Sequence, residues 1–308
     1  MRAADQAARL VLGTAQLGMA YGIANRTGRP GRDAAHILLR FAWDQGIRVL
    51  DTAQAYGDAE AVIGAFFAAV PGCDFQVVSK LPRDIASGDA DAVVDAVRAS
   101  VARIGRPLAA MLLHDEAMLD IWDHGLGDGL SRAIDEGLCA AAGVSVYCPE
   151  RFAQALDLPA ITVIQAPFNV FDRRLLDAGL LARAAASGRT VFLRSVFLQG
   201  LLTLVPDELP IGMGFAADAL RRWRAACSEA GLAPDQAALG CALAYAPDAK
   251  IVIGCETVEQ LARNLAVIAQ PLEPRALAAL DSLPPGEAQL IDPSQWPPHP
   301  PAVQEARP

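Results

Sequence analysis

The chain has 308 residues, 53% of them apolar and 20% charged, which supplies a large core and excludes a wholly disordered chain. A balance of 26 Lys and Arg against 35 Asp and Glu leaves a net charge of −9, arguing against a general nucleic-acid or anionic-membrane binder but not against a local phosphate pocket.

Strand-like runs and amphipathic segments alternate along the chain. LVLGTA at 10–15 is followed by a helical segment at 33–45, RVLDTA at 48–53 by 58–69, and QVVSKL at 76–81 by 90–104. AAMLLH at 109–114 precedes 128–136, AAAGVSV at 140–146 precedes 149–157, and ITVIQAP at 161–167 precedes 173–187. TVFLRSV at 190–196 leads, after a long loop at 197–214, to 215–231; an extra helical segment at 234–246 stands before KIVIGC at 250–255 and its helix at 257–269. Most of the runs are continuously apolar, the mark of strands covered on both faces in a parallel sheet. In 90–104 the helical stripe runs through Ala92, Val93, Ala96, Val97, Ser100, Val101 and Ile104.

Eight such units predict an α/β fold, a closed (β/α)₈ barrel spanning 1–272, with a C-terminal helix and Pro-rich tail at 273–308 packed on it. An open doubly wound sheet is the alternative, and its phosphate fingerprint is missing: GLGDG at 125–129 follows no strand and reads as a loop entering a helix. The tail from 284 onward holds eight of the 21 prolines and is expected to be irregular, with a loose end. The longest uncharged stretch, Leu10 to Asn25, is shorter than the roughly 18–20 apolar residues of a membrane span. No signal segment opens the chain, and Cys73, Cys139, Cys148, Cys227, Cys241 and Cys255 form no CxxC or metal-finger spacing. A cytoplasmic protein without a metal site is expected.

Barrel active sites form at the carboxyl ends of the strands. Asp51 ends the second strand, Tyr56 follows in its loop, Lys80 ends the third strand and His114 the fourth. Alone, each has an ordinary explanation: a helix cap, a surface phenol, a solvated ammonium, a core imidazole. Together at neighbouring strand ends they suggest one mouth. A phenol titrates near 10, and a neighbouring ammonium favours its ionised form. A carboxylate keeps that ammonium charged, and an imidazole orients a carbonyl or relays a proton. Such a set suits reduction of a carbonyl by an external hydride, which requires a nicotinamide.

The ordered blocks LGTAQLG, LDTAQAYG, SKLP, LLHD, GVSVY, IQAPFNV, RSVFLQGLL and IVIGCETVEQLARNL, from about residue 10 to 269, resemble the aldo-keto reductase superfamily, in particular its bacterial branch. The resemblance implies a (β/α)₈ barrel that binds NADP(H), or NAD(H), with Asp51, Tyr56, Lys80 and His114 as the catalytic tetrad. It implies cofactor contacts from Gly13 and Thr14 after strand one. Ser145 and Gln165 match the residues that hold the nicotinamide carboxamide, although Val146 replaces the usual asparagine. Arg194 stands where an aromatic ring commonly stacks on the nicotinamide. Ser195, Val196, Phe197, Gln199 and Gly200 match the pyrophosphate segment, and Gly254, Glu256, Gln260 and Asn264 the adenosine segment. Glu256 either repels a 2′-phosphate and accepts from a 2′-hydroxyl, with Arg263 nearby to compensate, or points to solvent and decides nothing.

For the substrate pocket, Tyr21, Asn25, Trp122, Phe168, Asn169 and Phe171 are candidates, each equally open to ordinary packing; Trp43 reads as helix packing. The leading reading is an NAD(P)(H)-dependent oxidoreductase acting on a small-molecule aldehyde or ketone, sugars included, or its alcohol. A non-catalytic, nucleotide-binding regulatory barrel is the alternative. A Schiff-base lyase using Lys80 is a weaker third, since Asp51 keeps the amine protonated. Nucleic acid and membrane are not expected partners.

Overall fold

The computed structural model describes residues 7–85 and 89–297. Eight parallel strands, β1 Leu10–Gly13, β2 Val49–Asp51, β3 Gln76–Lys80, β4 Ala110–Leu113, β5 Ala142–Ser145, β6 Ile161–Pro167, β7 Thr190–Arg194 and β8 Lys250–Gly254, pair in chain order into a closed barrel. β8 returns to β1 through Leu10↔Ile251 to Gly13↔Gly254, which excludes the open sheet.

The strands divide their apolar residues by parity. Leu10, Leu12, Leu50, Val77, Met111, Leu113, Val144, Ile164, Leu193, Ile251 and Ile253 join the helix residues Leu38, Phe66, Val97, Leu130, Phe152, Trp223 and Leu261 in the larger core. Val11, Val49, Val78, Ala110, Leu112, Val163 and Phe192 form a second core, built only from strands and packed against Val252. The first is the layer between sheet and helices; the second fills the barrel. Both faces are therefore apolar, and the runs do not alternate.

Helix boundaries follow local chemistry. Asp89 caps Ala90–Ile104 by accepting from the Asp91 N–H at 2.9 Å, and Gly105, at φ 82°, ends it in the left-handed conformation. The buried stripe there is Val93, Val94, Val97, Ser100 and Ile104; Ala92, expected on it, faces solvent. The stretch expected as one helix over 173–187 is two, Arg174–Asp177 and Leu180–Ala186, broken at Gly179. Residues 15–18, partly assigned to a strand by their apolar run, turn into a short helix instead. The long loop after β7 carries three 3₁₀ turns, Leu198–Thr203, Pro206–Glu208 and Gly214–Ala216.

Beyond β8, the helix Pro274–Asp281 packs against Ala217–Ala230, with Arg173 bridging to Asp281 at 2.8 Å. The Gly286 N–H donates to the Phe171 carbonyl at 2.9 Å. The end of the tail, 298–308, lies outside the described residues. No helix among the described residues is long and apolar enough to cross a membrane.

Candidate active site

One inward step beyond the barrel filling, the strands change chemistry. Val49 is followed two residues later by Asp51, Val78 by Lys80, Leu112 by His114, Gly143 by Ser145, Val163 by Gln165 and Phe192 by Arg194. Val11 and Val252 are followed in the same way by Gly13 and Gly254. Because the period of a strand is two and all strands are parallel, these positions crown the same end of the barrel.

At this crown Lys80 Nζ donates to Asp51 Oδ1 at 2.8 Å and to the Thr52 carbonyl at 2.8 Å, with only 1% of its side chain exposed. Burial alone would weaken the ammonium's hold on its proton; the charge of Asp51, aided by Tyr56, outweighs it and holds Lys80 above the usual lysine value. The ammonium lies 5.0 Å from the centre of the Tyr56 ring, and that ring meets His114 edge-on at 5.9 Å. Burial first, then the charges of Lys80, Arg83 and Arg194, push the His114 imidazole down to about 3, so it is neutral at pH 7. Its Nδ1 is buried with no hydrogen-bond partner among the described residues, as is Gln165 Oε1. The Tyr56 loop is pinned by its own N–H to the Ala53 carbonyl at 3.0 Å and by Ala59 N–H to the Tyr56 carbonyl at 3.1 Å.

The other half of the mouth is backbone-rich. Thr14 ties β1 to β2 through its N–H and hydroxyl, both donating to the Asp51 carbonyl at 2.9 and 3.0 Å. After β7 the chain takes three non-glycine left-handed residues, Ser195 (φ 62°), Leu198 (φ 46°) and Gln199 (φ 53°). Such conformations cost on the order of 1–3 kcal/mol each and cluster where backbone must curve around a ligand. The segment is held by Ile23 N–H donating to the Gln199 carbonyl at 2.9 Å, and Gly200 sits where a Cβ would be 2.5 Å from that of Ala24. The Arg194 guanidinium stacks 4.2 Å from the centre of the Tyr147 ring and donates to Ser195 Oγ at 3.2 Å.

Past β8, Gln260 grips Glu256 twice, accepting from its N–H at 2.7 Å and donating to its carboxylate at 3.2 Å. Burial pushes the Glu256 carboxyl up, against the pull of Gln260. Asn264 Nδ2 donates to Cys255 Sγ at 3.4 Å. Arg263 Nε stands 3.7 Å from Asp235 Oδ2.

These residues line one cavity of about 660 Å³. Every tetrad and cofactor candidate from the sequence is on its wall, from Gly13 and Thr14 to Gln260 and Asn264. Tyr21 and Asn25 line it as well; burial pushes the Tyr21 phenol up to about 12. The other pocket candidates do not. Trp122 sits in a 3₁₀ segment, Glu116–His124, its indole against Gly127. Phe168 and Phe171 are buried in the core, and Asn169 Oδ1 closes a turn on the N–H groups of Phe171 and Asp172 at 3.0 and 3.1 Å. Trp43 packs edge-on against Phe75, as its helix position suggested. Arg83 and Tyr147, which the sequence reading did not place in the site, also line the cavity. Tyr147 lies two residues past Ser145, and Arg83 three past Lys80.

The sequence model of the aldo/keto reductase family matches residues 9–284, and the chain belongs to that family. A search of curated proteins returns no match. Among solved structures, the aldo-keto reductase AKR11C1 from Bacillus halodurans, in its holo form, is similar at 21% identity over 92% of this chain and 95% of that one, with a TM-score of 0.74. The glycerol dehydrogenase AKR11B4 from Gluconobacter oxydans is similar at 20% identity over 89% and 90%, with a TM-score of 0.70. At these identities the likeness is one of fold.

Proposed function

We propose that this protein is an NAD(P)(H)-dependent oxidoreductase that interconverts an aldehyde or ketone and its alcohol, with Asp51, Tyr56, Lys80 and His114 as its catalytic residues. The observation that carries the reading is the buried Asp51–Lys80 pair with Tyr56 and His114 against it on one cavity wall. A structural ion pair needs no phenol beside it and no open space above it.

A nicotinamide cofactor fits the residues present. Gln165 Oε1 is a buried acceptor without a donor among the described residues, the complement of a carboxamide N–H, and Ser145 stands on the neighbouring strand in register with it. Bound there, the cofactor supplies the hydride, which no side chain can. The chain's own residues handle the proton and the charge. Tyr56 holds the proton that the carbonyl oxygen takes up. Lys80 stabilises negative charge on that oxygen and on the phenol, and Asp51 keeps Lys80 charged. Neutral His114 orients the carbonyl without adding a positive charge. The same ion pair disfavours an imine at Lys80, because a protonated amine is no nucleophile. The left-handed turns of Ser195–Gly200 and the Glu256–Asn264 stretch are assigned to the pyrophosphate and adenosine.

At the adenosine end Glu256, Asp235 and Arg263 line the cavity together, and Arg263 leans on Asp235. That balance favours a ribose hydroxyl over a phosphate, and NAD(H) over NADP(H). Parallel titrations with NADH and NADPH, followed by nicotinamide fluorescence, together with a screen of small carbonyls, test both points. NADH binding with turnover is the expected result. Binding without turnover on any carbonyl favours the regulatory reading, and tighter NADPH binding overturns the cofactor assignment.

A further inference from the structure

We infer that the substrate carries an anionic group, a carboxylate or a phosphate, near its carbonyl, and that Arg83 receives it. This rests on the carbonyl-reductase reading above and adds a substrate class to it.

The charges on the cavity wall are nearly all matched. Lys80 is paired with Asp51, Arg263 leans on Asp235, and Glu256 is held by Gln260. Two guanidiniums remain in a chain whose net charge is −9. Among the described residues, Arg194 donates only to neutral oxygens, Ser195 Oγ at 3.2 Å and the Val146 carbonyl at 3.4 Å. The nearby Asp292 carboxylate feels Arg194 but is taken up by Ser294 and Gln295 at 2.6 and 2.9 Å. Arg83 has no hydrogen bond or ion pair among the described residues, although carboxylates hold many of the other arginines. Asp84, next to it in the chain, does not line the cavity.

Position decides what Arg83 is for. The residues assigned to the dinucleotide come from β1 and from β5 to β8, whereas Arg83 follows β3, which lies across the ring from β7. It is exposed, it lines the cavity, and it lies within electrostatic reach of His114, the residue that orients the carbonyl. A guanidinium without a partner among the described residues, on the same cavity wall as His114 and on the other side of the ring from the pyrophosphate segment after β7, complements an anion on the substrate. A planar fork of donors matches carboxylate and phosphate oxygens two at a time. Hydrogen bonds to a charged group correspond to roughly 10- to 100-fold in affinity.

The test compares aldehydes in matched pairs: succinic semialdehyde against butanal for the carboxylate, and glyceraldehyde 3-phosphate against glyceraldehyde for the phosphate. The wild type is expected to favour the anionic member of at least one pair by about tenfold or more in kcat/KM, through KM, with the preference shrinking as salt is added. Arg83→Gln should collapse that ratio and Arg83→Lys restore part of it. The pair that shows the effect identifies the anion. A wild-type ratio near one in both pairs, or a ratio unchanged in Arg83→Gln, overturns the inference while turnover of the neutral aldehydes keeps the reductase reading intact. If neither these aldehydes nor any ketone of the wider carbonyl screen turns over, the reductase reading falls. Calorimetric titration of the nucleotide-loaded protein with succinate then decides: binding lost in Arg83→Gln supports the anion site, and no binding to the wild type removes it.

Discussion

Gln165 Nε2 donates to Asp51 Oδ1 at 2.8 Å, the same oxygen that takes the Lys80 ammonium. The two residues belong to β6 and β2, on opposite sides of the eight-strand ring, so the bond spans the mouth. It fixes the carboxylate toward Lys80 and turns the amide so that its oxygen stays open. Asp51→Asn keeps the shape and removes the charge. Lys80, buried and without a counter-ion, should then lose its proton far more easily. Breaking such a pair costs about 3–5 kcal/mol, measurable by urea titration at pH 7. Lys80 is held above its unfolded value, so the stability from the pair is full below about 10 and lost as pH rises through the folded value. The gap between wild type and variant should therefore persist across neutral pH and close only in strong alkali.

Tyr56→Phe removes one oxygen and leaves the ring contact with His114 in place. If Tyr56 is the proton donor, as proposed, its loss should lower kcat by roughly 10²- to 10⁴-fold. The nicotinamide fluorescence titration should change little, because the cofactor assignments fall on other strands. Full turnover in this variant would take Tyr56 out of the mechanism. Lys80→Met should suppress turnover as well, by removing the ammonium that lies 5.0 Å from the phenol ring.

Much of this was legible in the residues. The strands were readable because both their faces are apolar, and Asp51, Lys80 and His114 stood out as ionisable side chains at the ends of such runs. What failed has physical causes. Gly179 splits a helix whose apolar period continues across it. Phe168 and Phe171 follow a strand end, where mouth residues belong, but the chain turns there on Asn169 and sends both rings into the core. Arg83 and Tyr147 carry no pattern of their own. Only the closing of the ring shows that they share a cavity with His114.

Gly18 and Gly57 cross backbone to backbone. A Cβ on Gly18 would overlap the Tyr56 carbonyl and come within 2.6 Å of the Ala59 nitrogen, and Gly57, at φ 54°, faces the Gly18 carbonyl. These are main-chain atoms, so a rotamer change cannot relieve the overlap. Gly18→Ala should displace the loop that carries Tyr56. Overpacking of this kind costs about 1–3 kcal/mol, and a 1 Å misplacement of a reacting group can cost about 10²-fold in rate. Gly31→Ala is the control, since a Cβ there meets nothing within 4 Å. Rate and thermal stability should fall together in the first and hold in the second. A Gly18→Ala variant with wild-type kcat would mean the loop adapts.

His114 separates a structural from a catalytic pH effect. Its imidazole is pushed from about 6.5 down to about 3 by burial and by the three cations around it, so it stays neutral in the folded protein across the physiological range. Two consequences follow. The pH–rate profile should show no inflection near 6.5 that vanishes in His114→Gln. The unfolded chain, in contrast, binds a proton at this residue near 6.5. Stability from a depressed histidine is fully present above the unfolded value and is lost as pH falls through the folded one. The loss from this residue approaches about 5 kcal/mol by pH 3, at 1.36 kcal/mol per unit. Denaturant titrations from pH 7 to 3 should therefore show wild type losing more stability than His114→Gln. Parallel curves would mean that the imidazole takes up a proton in the folded state and that the cations around it are screened.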